Sequence, residues 1–124
     1  MSNSITLSIG SNSDDRNEQV ARCLKWIAST MGNCRQSTVY TTAALNGKSG
    51  YYANAVASAE CDGEMADVNS IFKEYERRNG RNEEARTHGI VPIDIDIVMW
   101  NGTIVRSKDY QQDYFQQGWQ QICD

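Results

Sequence analysis

The sequence predicts an α+β fold of the ferredoxin-like type, with a mostly antiparallel sheet, helices on one face and an added C-terminal hairpin. Two observations lead to this prediction. Strand and helix periodicities follow one another in the order β-α-β and then β-α-β again, which is the split βαβ pattern. Asn101-Gly102, a strong two-residue turn signal, then separates the last long strand from a return strand at Thr103–Val105. This fold leaves the second sheet face for ligands, but it does not imply a function by itself.

The first βαβ unit begins at Ile5–Ile9, where apolar and hydroxyl residues alternate as in a half-buried strand. A glycine turn follows, and Asn12 or Ser13 is the predicted cap of a helix that Gly32 ends. Such a turn could cradle phosphate, although a structural turn is the simpler explanation. A second strand is predicted at Cys34–Tyr40. The helix is indicated by apolar residues at helical spacing, namely Val20, Leu24, Ile27 and Met31.

The second unit has a strand at Tyr51–Ala59 and a helix over about Gly63–Asn79, which Gly80 ends. The polar loop Thr41–Gly50 precedes this unit, and its length fits either a functional loop or a plain mobile connection. Asn54 places an amide on one face of the strand, where a planar heterocycle or neighbouring backbone could supply its partners. The helix has one predicted apolar stripe, made of Val68, Ile71, Phe72 and Tyr75.

The strand Ile93–Trp100 carries the clearest functional signal in the chain. Its strict alternation points Asp94 and Asp96 to one face, about 7 Å apart, and the isoleucines to the other. Two such carboxylates repel each other, and a Mg²⁺ ion that also binds substrate phosphates would relieve the repulsion. A half-buried strand with an acidic outer face explains the same alternation without a metal.

Basic residues cluster just before this strand. Helix-dipole stabilisation explains some of them, but it does not explain why the long loop over residues 81–91 leads directly into the acidic strand. A cationic loop beside a metal-binding strand is suited to a polyphosphate. The five basic residues between positions 73 and 86 are Lys73, Arg77, Arg78, Arg81 and Arg86.

The glutamine-rich tail after the hairpin predicts a surface helix that packs through its apolar and aromatic positions. These are Tyr110, Tyr114, Phe115, Gly118 and Trp119.

Length and composition narrow the class of protein. The 124 residues suit one domain, residues 1–124, with 40% hydrophobic and 23% charged residues. A net charge of −4 argues against nucleic-acid binding, and no apolar run approaches a membrane span. With one histidine and four cysteines without CxxC spacing, a zinc site is not expected. We therefore expect a cytoplasmic monomer with reduced cysteines and no signal peptide.

Several short motifs occur in an order and spacing that together are specific, although each motif alone is modest. They are Ile9-Gly10-Ser11-Asn12, Tyr40-Thr41-Thr42, Tyr51–Val56, Glu76, Gly80-Arg81, Ile93–Ile97 and Gly118-Trp119. On these residues the chain resembles the 6-hydroxymethyl-7,8-dihydropterin pyrophosphokinase family of folate biosynthesis, as a short and divergent member.

The resemblance implies transfer of a pyrophosphoryl group from ATP to the pterin hydroxymethyl oxygen, with release of AMP. It implies two Mg²⁺ ions on Asp94 and Asp96, with Arg81 also in the catalytic set. The substrate-binding residues that it implies are Thr42, Ala43, Leu45, Tyr52, Asn54 and Trp119, with the ring between Tyr52 and Trp119. The ATP-binding residues that it implies are Lys73, Glu76, Arg81, His88 and Ile97.

The chain departs from the family pattern at several cationic positions. Val91 stands where the family usually carries an arginine, and Glu83 replaces a second loop arginine. Ala43-Ala44 replaces prolines, and the tail offers only Arg106 and Lys108 where the family has a basic, histidine-bearing tail. Each lost charge-assisted contact would cost about 1.5–3 kcal/mol.

Three hypotheses follow from these observations. The first is an active Mg²⁺-dependent pyrophosphokinase, in which Arg78 and Arg86 partly replace the missing arginines. The second is a degenerate relative that binds a pterin or a nucleotide without turnover. The third is a ferredoxin-like interaction module with a solvated acidic strand.

Overall fold

The computed structural model describes residues 2–45 and 50–123, so the predicted loop at positions 46–49 lies outside the described residues. The elements are, in chain order, β1 (Asn3–Ser11), α1 (Arg16–Thr30), β2 (Gly32–Gln36), β3 (Tyr40–Ala43), β4 (Tyr51–Cys61), α2 (Met65–Arg78), α3 (Glu83–Thr87), β5 (Asp94–Trp100), β6 (Thr103–Ile104), α4 (Ser107–Tyr110) and α5 (Asp113–Ile122).

The sheet confirms the predicted α+β, ferredoxin-like arrangement. Its strands lie in the order β2-β4-β1-β5-β6, with β3 also paired to β4, and every pairing is antiparallel. β1 is central, and its register places Ser8 opposite Asp96 and Gly10 opposite Asp94. The predicted hairpin is present, although its return strand ends at Ile104. β1 and β4 therefore form a continuous floor beside the acidic part of β5.

The main core lies between one sheet face and the two long helices, as the split βαβ pattern predicts. Alternate residues of β1, β4 and β5 point to this face because successive side chains of a strand point to opposite sides. α1 contributes its predicted stripe, although Met31 packs only partly buried against the core. The largest fully buried side chains of this core are Ile5, Leu7, Ile9, Val20, Ile27, Val68, Phe72, Ile93 and Ile95.

A smaller core forms on the opposite face, where α5 packs on β4 and β2. It joins Val56 of β4 and Val98 of β5 to Phe115 and Ile122 of the tail helix. The tail therefore packs through its aromatic positions as predicted, and it covers one part of the face that the fold would otherwise leave open. The uncovered part of this face carries the acidic pair.

Gly118 allows α5 to lie this close to the sheet. A Cβ atom at this position would lie 2.6 Å from Val56 Cγ2 and 2.7 Å from the Tyr40 hydroxyl, closer than carbon side chains pack. The Tyr40 hydroxyl accepts a hydrogen bond from the Gly118 N–H at 3.0 Å and donates to the Tyr114 carbonyl at 2.5 Å. A tyrosine on the edge strand therefore anchors the tail helix at its middle.

The predicted strand Cys34–Tyr40 is wrong in one respect, since it is two strands, β2 and β3. The chain breaks at Ser37, whose buried hydroxyl accepts from the Val56 N–H at 2.9 Å in place of a backbone carbonyl. The Thr38 N–H turns away and donates to Gln121 of α5 at 2.8 Å. The first part of the predicted loop, Thr41–Ala43, consequently belongs to β3.

Three helix predictions also need correction. α1 begins at Arg16 with Asp15 as its N-cap residue, so neither predicted cap is correct. Ile71 is 45% exposed and lies off the buried stripe of α2, where the carboxyl-bearing Glu76 is buried instead. The predicted loop over residues 81–91 contains α3, whose N-cap residue Asn82 accepts from the Ala85 N–H at 2.9 Å.

Across residues 2–45 and 50–123, no helix combines the length and the apolar character that crossing a membrane requires.

Candidate functional site

The acidic pair of β5 faces the uncovered part of the sheet, as the alternation predicts. The side chain of Asp94 is 33% exposed and that of Asp96 is 18% exposed, whereas Ile95 and Ile97 are buried in the main core. Both carboxylates are therefore accessible to a ligand and partly shielded from water.

Two cations from α2 and the following turn lie against this pair. Arg81 Nη1 contacts Asp94 Oδ1 at 2.6 Å, and Lys73 Nζ lies 3.7 Å from Asp96 Oδ1 and 4.0 Å from Asp94 Oδ1. Both cations also contact the buried Glu76, Lys73 at 2.9 Å and Arg81 at 3.2 Å. The resemblance assigned these three residues to ATP, and the structure brings them together beside the acidic pair.

The same three side chains hold the outer edge of β5. No strand of the described part of the chain pairs with this edge at residues 93–95, where backbone groups would otherwise lack partners. Glu76 Oε2 accepts from the Ile95 N–H at 2.8 Å, and Lys73 Nζ donates to the Ile95 carbonyl at 3.0 Å. Arg81 donates to the Ile93 carbonyl at 3.3 Å. These bonds fix the strand that carries the aspartates, because they replace a missing strand neighbour.

The pKa values of the two aspartates are shifted in opposite directions. Burial raises the pKa of Asp96 to about 7, and the hydrogen bond and negative charge of Asp94 add to this shift. Burial also acts on Asp94, but hydrogen bonds from Asp96 and Arg81 outweigh it, so the pKa of Asp94 lies below its usual value. Near neutral pH the pair therefore retains part of one proton on Asp96, which a bound divalent cation would displace.

A cleft of about 310 Å³ opens over the acidic pair. Five of the six residues that the resemblance assigned to the pterin line it, and they come from β3, the following turn and β4. Leu45, which is 70% exposed, lies at its rim. The described residues around the cleft are Ser8, Gly10, Thr42, Ala43, Ala44, Leu45, Tyr52, Asn54, Asp94, Asp96, Asp109 and Tyr114.

The amide of Asn54 is oriented by its neighbours. Its Nδ2 donates to Thr42 Oγ1 at 2.6 Å, which leaves Oδ1 as the acceptor that faces the cleft beside Gly10. A Cβ at Gly10 would lie 3.2 Å from this Oδ1, so glycine keeps the space in front of the amide open. Nδ2 also donates to the Tyr52 carbonyl at 3.4 Å, so neighbouring backbone, one of the two partners that the sequence left open, is a partner of Asn54 together with Thr42. Oδ1 remains available to a heterocycle.

A second cleft, of about 220 Å³, lies between Arg81 and the segment before β5. Asn12 holds this segment, since its Oδ1 accepts from the Val91 N–H at 2.6 Å and its Nδ2 donates to the Gly89 carbonyl at 3.0 Å. The backbone N–H of Asn12 also donates to the Val91 carbonyl at 3.0 Å. The lining residues of this cleft are Arg81, Asn82, Arg86, Gly89, Ile90 and Val91.

Three predicted site residues lie away from the two clefts as the structure describes them. Trp119 packs in the smaller core with its ring 6.0 Å from that of Phe115. His88 is exposed at the end of α3, with Nδ1 2.8 Å from the Glu84 carbonyl. Ile97 is 5% exposed in the main core. Their assigned roles stay predictions.

The two arginines expected to substitute for the missing ones differ in position. Arg86 lines the second cleft, where it lies 3.8 Å from Glu83. Arg78 pairs with Glu74 at 3.7 Å, is 78% exposed and lines neither described cleft. Arg86 is therefore the better placed of the two.

Sequence reasoning assigned no site role to the two tail residues of the first cleft, Asp109 and Tyr114. Tyr114 donates its hydroxyl proton to Asp109 Oδ1, and Arg106 Nε donates to Asp109 Oδ2. Both cleft residues come from the polar tail, whose pattern indicated only packing. Nothing in their spacing signals that the tail returns to the acidic pair.

The donor set of the first cleft fits Mg²⁺. The described residues contain no cluster of three or more acidic, histidine or cysteine side chains that could enclose a metal alone. Mg²⁺ does not need one, because it commonly binds through one or two carboxylates together with substrate phosphates and water. Burial and the neighbouring Asp94 carboxylate raise the pKa of Asp96, so its charged form is disfavoured there, and a divalent cation would favour that charged form.

Comparison with known proteins identifies the family of the chain. The family described as 7,8-dihydro-6-hydroxymethylpterin-pyrophosphokinase (HPPK) matches residues 6–124 of the chain. No curated protein gives a significant match. Because the family match covers nearly the whole chain, the chain belongs to the 7,8-dihydro-6-hydroxymethylpterin-pyrophosphokinase family, a family of transferases in folate biosynthesis.

Proposed function

We propose that this protein transfers a pyrophosphoryl group from ATP to the hydroxymethyl group of 6-hydroxymethyl-7,8-dihydropterin. The hydroxymethyl oxygen gives up its proton to solvent and forms a bond to the β-phosphorus, the bond from that phosphorus to the bridging α-phosphate oxygen breaks, and AMP leaves with that oxygen. The observation that supports this most directly is the convergence of Asp94, Asp96, Thr42, Tyr52 and Asn54 on one cleft.

The pterin would occupy the first cleft. Asn54 Oδ1 offers an acceptor for an N–H group on the edge of the ring, and the Tyr52 side chain offers an aromatic face. Thr42 holds the amide in place, so the acceptor is oriented before the ligand binds. The cleft volume of about 310 Å³ is suited to a small bicyclic substrate.

ATP would lie across Arg81, which borders the second cleft and contacts Asp94 of the first. Lys73 and Arg81 now neutralise the acidic pair, and they could exchange these carboxylates for phosphate oxygens when ATP binds. Asp94 and Asp96 would hold Mg²⁺, which supplies charge neutralisation and alignment of the phosphates when bound.

A degenerate, non-catalytic relative is the second candidate, and the second cleft is the observation that favours it. Val91 lines this cleft where the family usually has an arginine, and Glu83 lies 3.8 Å from Arg86, one of the two arginines that border it. A phosphate at this position would meet less positive charge than the family pattern supplies.

Conversion of ATP to AMP by the purified protein tests the proposal and separates the candidates. We expect AMP formation that requires the pterin and Mg²⁺ and that stops when a chelator removes the metal. Asp94→Asn should abolish it, and Asp62→Asn, at an exposed position between β4 and α2, should not. Pterin binding in calorimetry without AMP formation would identify the degenerate relative. Absence of both binding and turnover would leave the plain interaction module.

A further inference from the structure

Lys73 places a positive charge beside the acidic pair. It lies one turn before Glu76 on α2, and α2 packs on β5, so both side chains reach the strand that carries the aspartates. The ammonium nitrogen lies 3.7 Å from Asp96 Oδ1 and 4.0 Å from Asp94 Oδ1. At these distances it attracts both carboxylates without a hydrogen bond to either.

Two other groups hold this ammonium in place. Its nitrogen donates to Glu76 Oε2 at 2.9 Å and to the Ile95 carbonyl at 3.0 Å. Glu76 is 4% exposed, and Ile95 is fully buried in β5. Because neither partner is one of the two aspartates, a metal ion that binds the aspartates leaves both hydrogen bonds intact. The positive charge of Lys73 therefore stays beside the pair when a metal binds.

The charges around the pair reduce its attraction for a free divalent ion. Three carboxylates, those of Asp94, Asp96 and Glu76, face the cations of Lys73 and Arg81. These five groups carry one net negative charge when all of them are ionised. Without Lys73 they would carry two negative charges, which a divalent ion would neutralise. Lys73 thus supplies positive charge that a metal would otherwise supply alone.

We propose that Lys73 lowers the affinity of the acidic pair for a free divalent cation, so that the metal binds mainly together with a polyphosphate. This proposal rests on the proposed function, since it concerns the metal site of that reaction. An ammonium has three N–H groups, and the one that Glu76 and Ile95 do not use can donate to a phosphate oxygen. A complex of one divalent ion with a nucleoside triphosphate carries a net negative charge. The same lysine therefore repels the free ion and attracts the complex.

A purely structural role for Lys73 predicts a change of the opposite sign. Its bond to the Ile95 carbonyl holds the free edge of β5, the strand that carries the aspartates. If this were its only effect, removal of the lysine would let the aspartates shift, and the affinity for metal would fall. Removal of a repelling charge instead makes the affinity for metal rise.

The test is Mn²⁺ binding to the full chain without nucleotide, followed by electron paramagnetic resonance. Mn²⁺ is the probe because it binds the same oxygen ligands as Mg²⁺. Lys73→Gln removes the charge, and we expect the affinity for Mn²⁺ to rise about ten-fold at low ionic strength. Lys73→Arg keeps the charge and should bind Mn²⁺ within about two-fold of the wild type. Lys25→Gln, at an exposed position of α1, is the matched control and should also stay within about two-fold.

A second measurement is the affinity for a non-hydrolysable ATP analogue at saturating Mg²⁺. In Lys73→Gln we expect this affinity to fall about three- to ten-fold, as for loss of one charge-assisted hydrogen bond. The affinities for the free ion and for the nucleotide thus change in opposite directions, which a general loosening of the site would not produce. If Lys73→Gln does not fold, Lys73→Met, which has an unbranched side chain without charge, replaces it.

The proposal is overturned if the affinity of Lys73→Gln for Mn²⁺ is unchanged or lower, or if Lys73→Arg or Lys25→Gln gives an equal rise. It is also overturned if Lys73→Gln binds Mn²⁺ only when the ATP analogue is present. Failure of the wild type and of Lys73→Gln to bind Mn²⁺ with or without the analogue would instead overturn the proposed function.

Discussion

Replacement of Asp96 by asparagine should stabilise the metal-free protein and abolish its activity. Burial in the folded protein raises the pKa of this carboxyl from its usual 3.8 to about 7. The rise in pKa from 3.8 to about 7 corresponds to at most about 4 kcal/mol, at 1.36 kcal/mol for each tenfold change in proton affinity. The side chain is 18% exposed, so solvent screening reduces this figure, and we expect about 2 kcal/mol at pH 8. For a chain of this size the gain corresponds to about 8 °C in melting temperature.

The sign of the pH dependence follows from the direction of the shift. A carboxyl whose pKa is raised by folding favours the folded state fully below its unfolded pKa, and this contribution is lost as pH rises through about 7. The stability difference between Asp96→Asn and the wild type should therefore be small near pH 4, grow up to pH 7 and level off above it. Asparagine does not ionise, so it avoids this loss.

Thermal unfolding at pH 4, 6 and 8, without metal, measures this difference. Asp62→Asn is the control for loss of one negative charge at an exposed position, and its melting temperature should stay within 1–2 °C of the wild type. Addition of Mg²⁺ at pH 8 should stabilise the wild type more than Asp96→Asn, and turnover of the variant should fall more than about 100-fold. An equal gain at pH 4 and pH 8, or a loss of stability at pH 8, would show that the raised pKa of Asp96 does not control this difference in stability.

Two further predictions concern residues that position the site. Gly118→Ala should destabilise the protein by about 1–3 kcal/mol in urea unfolding, because its Cβ would overlap Val56 and the Tyr40 hydroxyl. Gly32→Ala is its control, since the nearest atom to a Cβ there is 3.9 Å away, and equal effects would contradict the reasoning. Asn12→Ala should raise the KM for ATP about three- to ten-fold and leave the KM for the pterin unchanged, because Asn12 holds only the second cleft. A matching rise in both KM values would mean that Asn12 supports the fold as a whole.

The organisation of β5 could be read from sequence because it is a local property. A period of two assigns Asp94 and Asp96 to one face of a strand and Ile95 to the other, whatever surrounds the strand. The same reasoning located the two main helices, and Gly80 ends α2 with φ of 98° as its position predicts. The family motifs added Thr42 and Asn54, which the structure places in one cleft.

Local sequence pattern did not predict the roles of side chains whose hydrogen-bond partners are distant in the chain. Glu76 occupies an apparently unfavourable buried position, and only the free edge of β5, 19 residues away, gives its carboxylate a backbone N–H to bind. Asn12 has the composition of a helix cap, but it binds a backbone segment 79 residues further along the chain. Its polar side chain satisfies either role, and the sequence does not distinguish them.

The sequence by itself therefore determined most of the elements, which of their faces are apolar and that two carboxylates share one face of a strand. These properties depend on the periodicity of a single element. The tertiary structure decided which charges neutralise that pair, that a tyrosine of the polar tail reaches the cleft and that the tail tryptophan packs against the smaller core. Those contacts depend on how distant segments meet, and a segment carries no periodic signal for the partner that it will meet after folding.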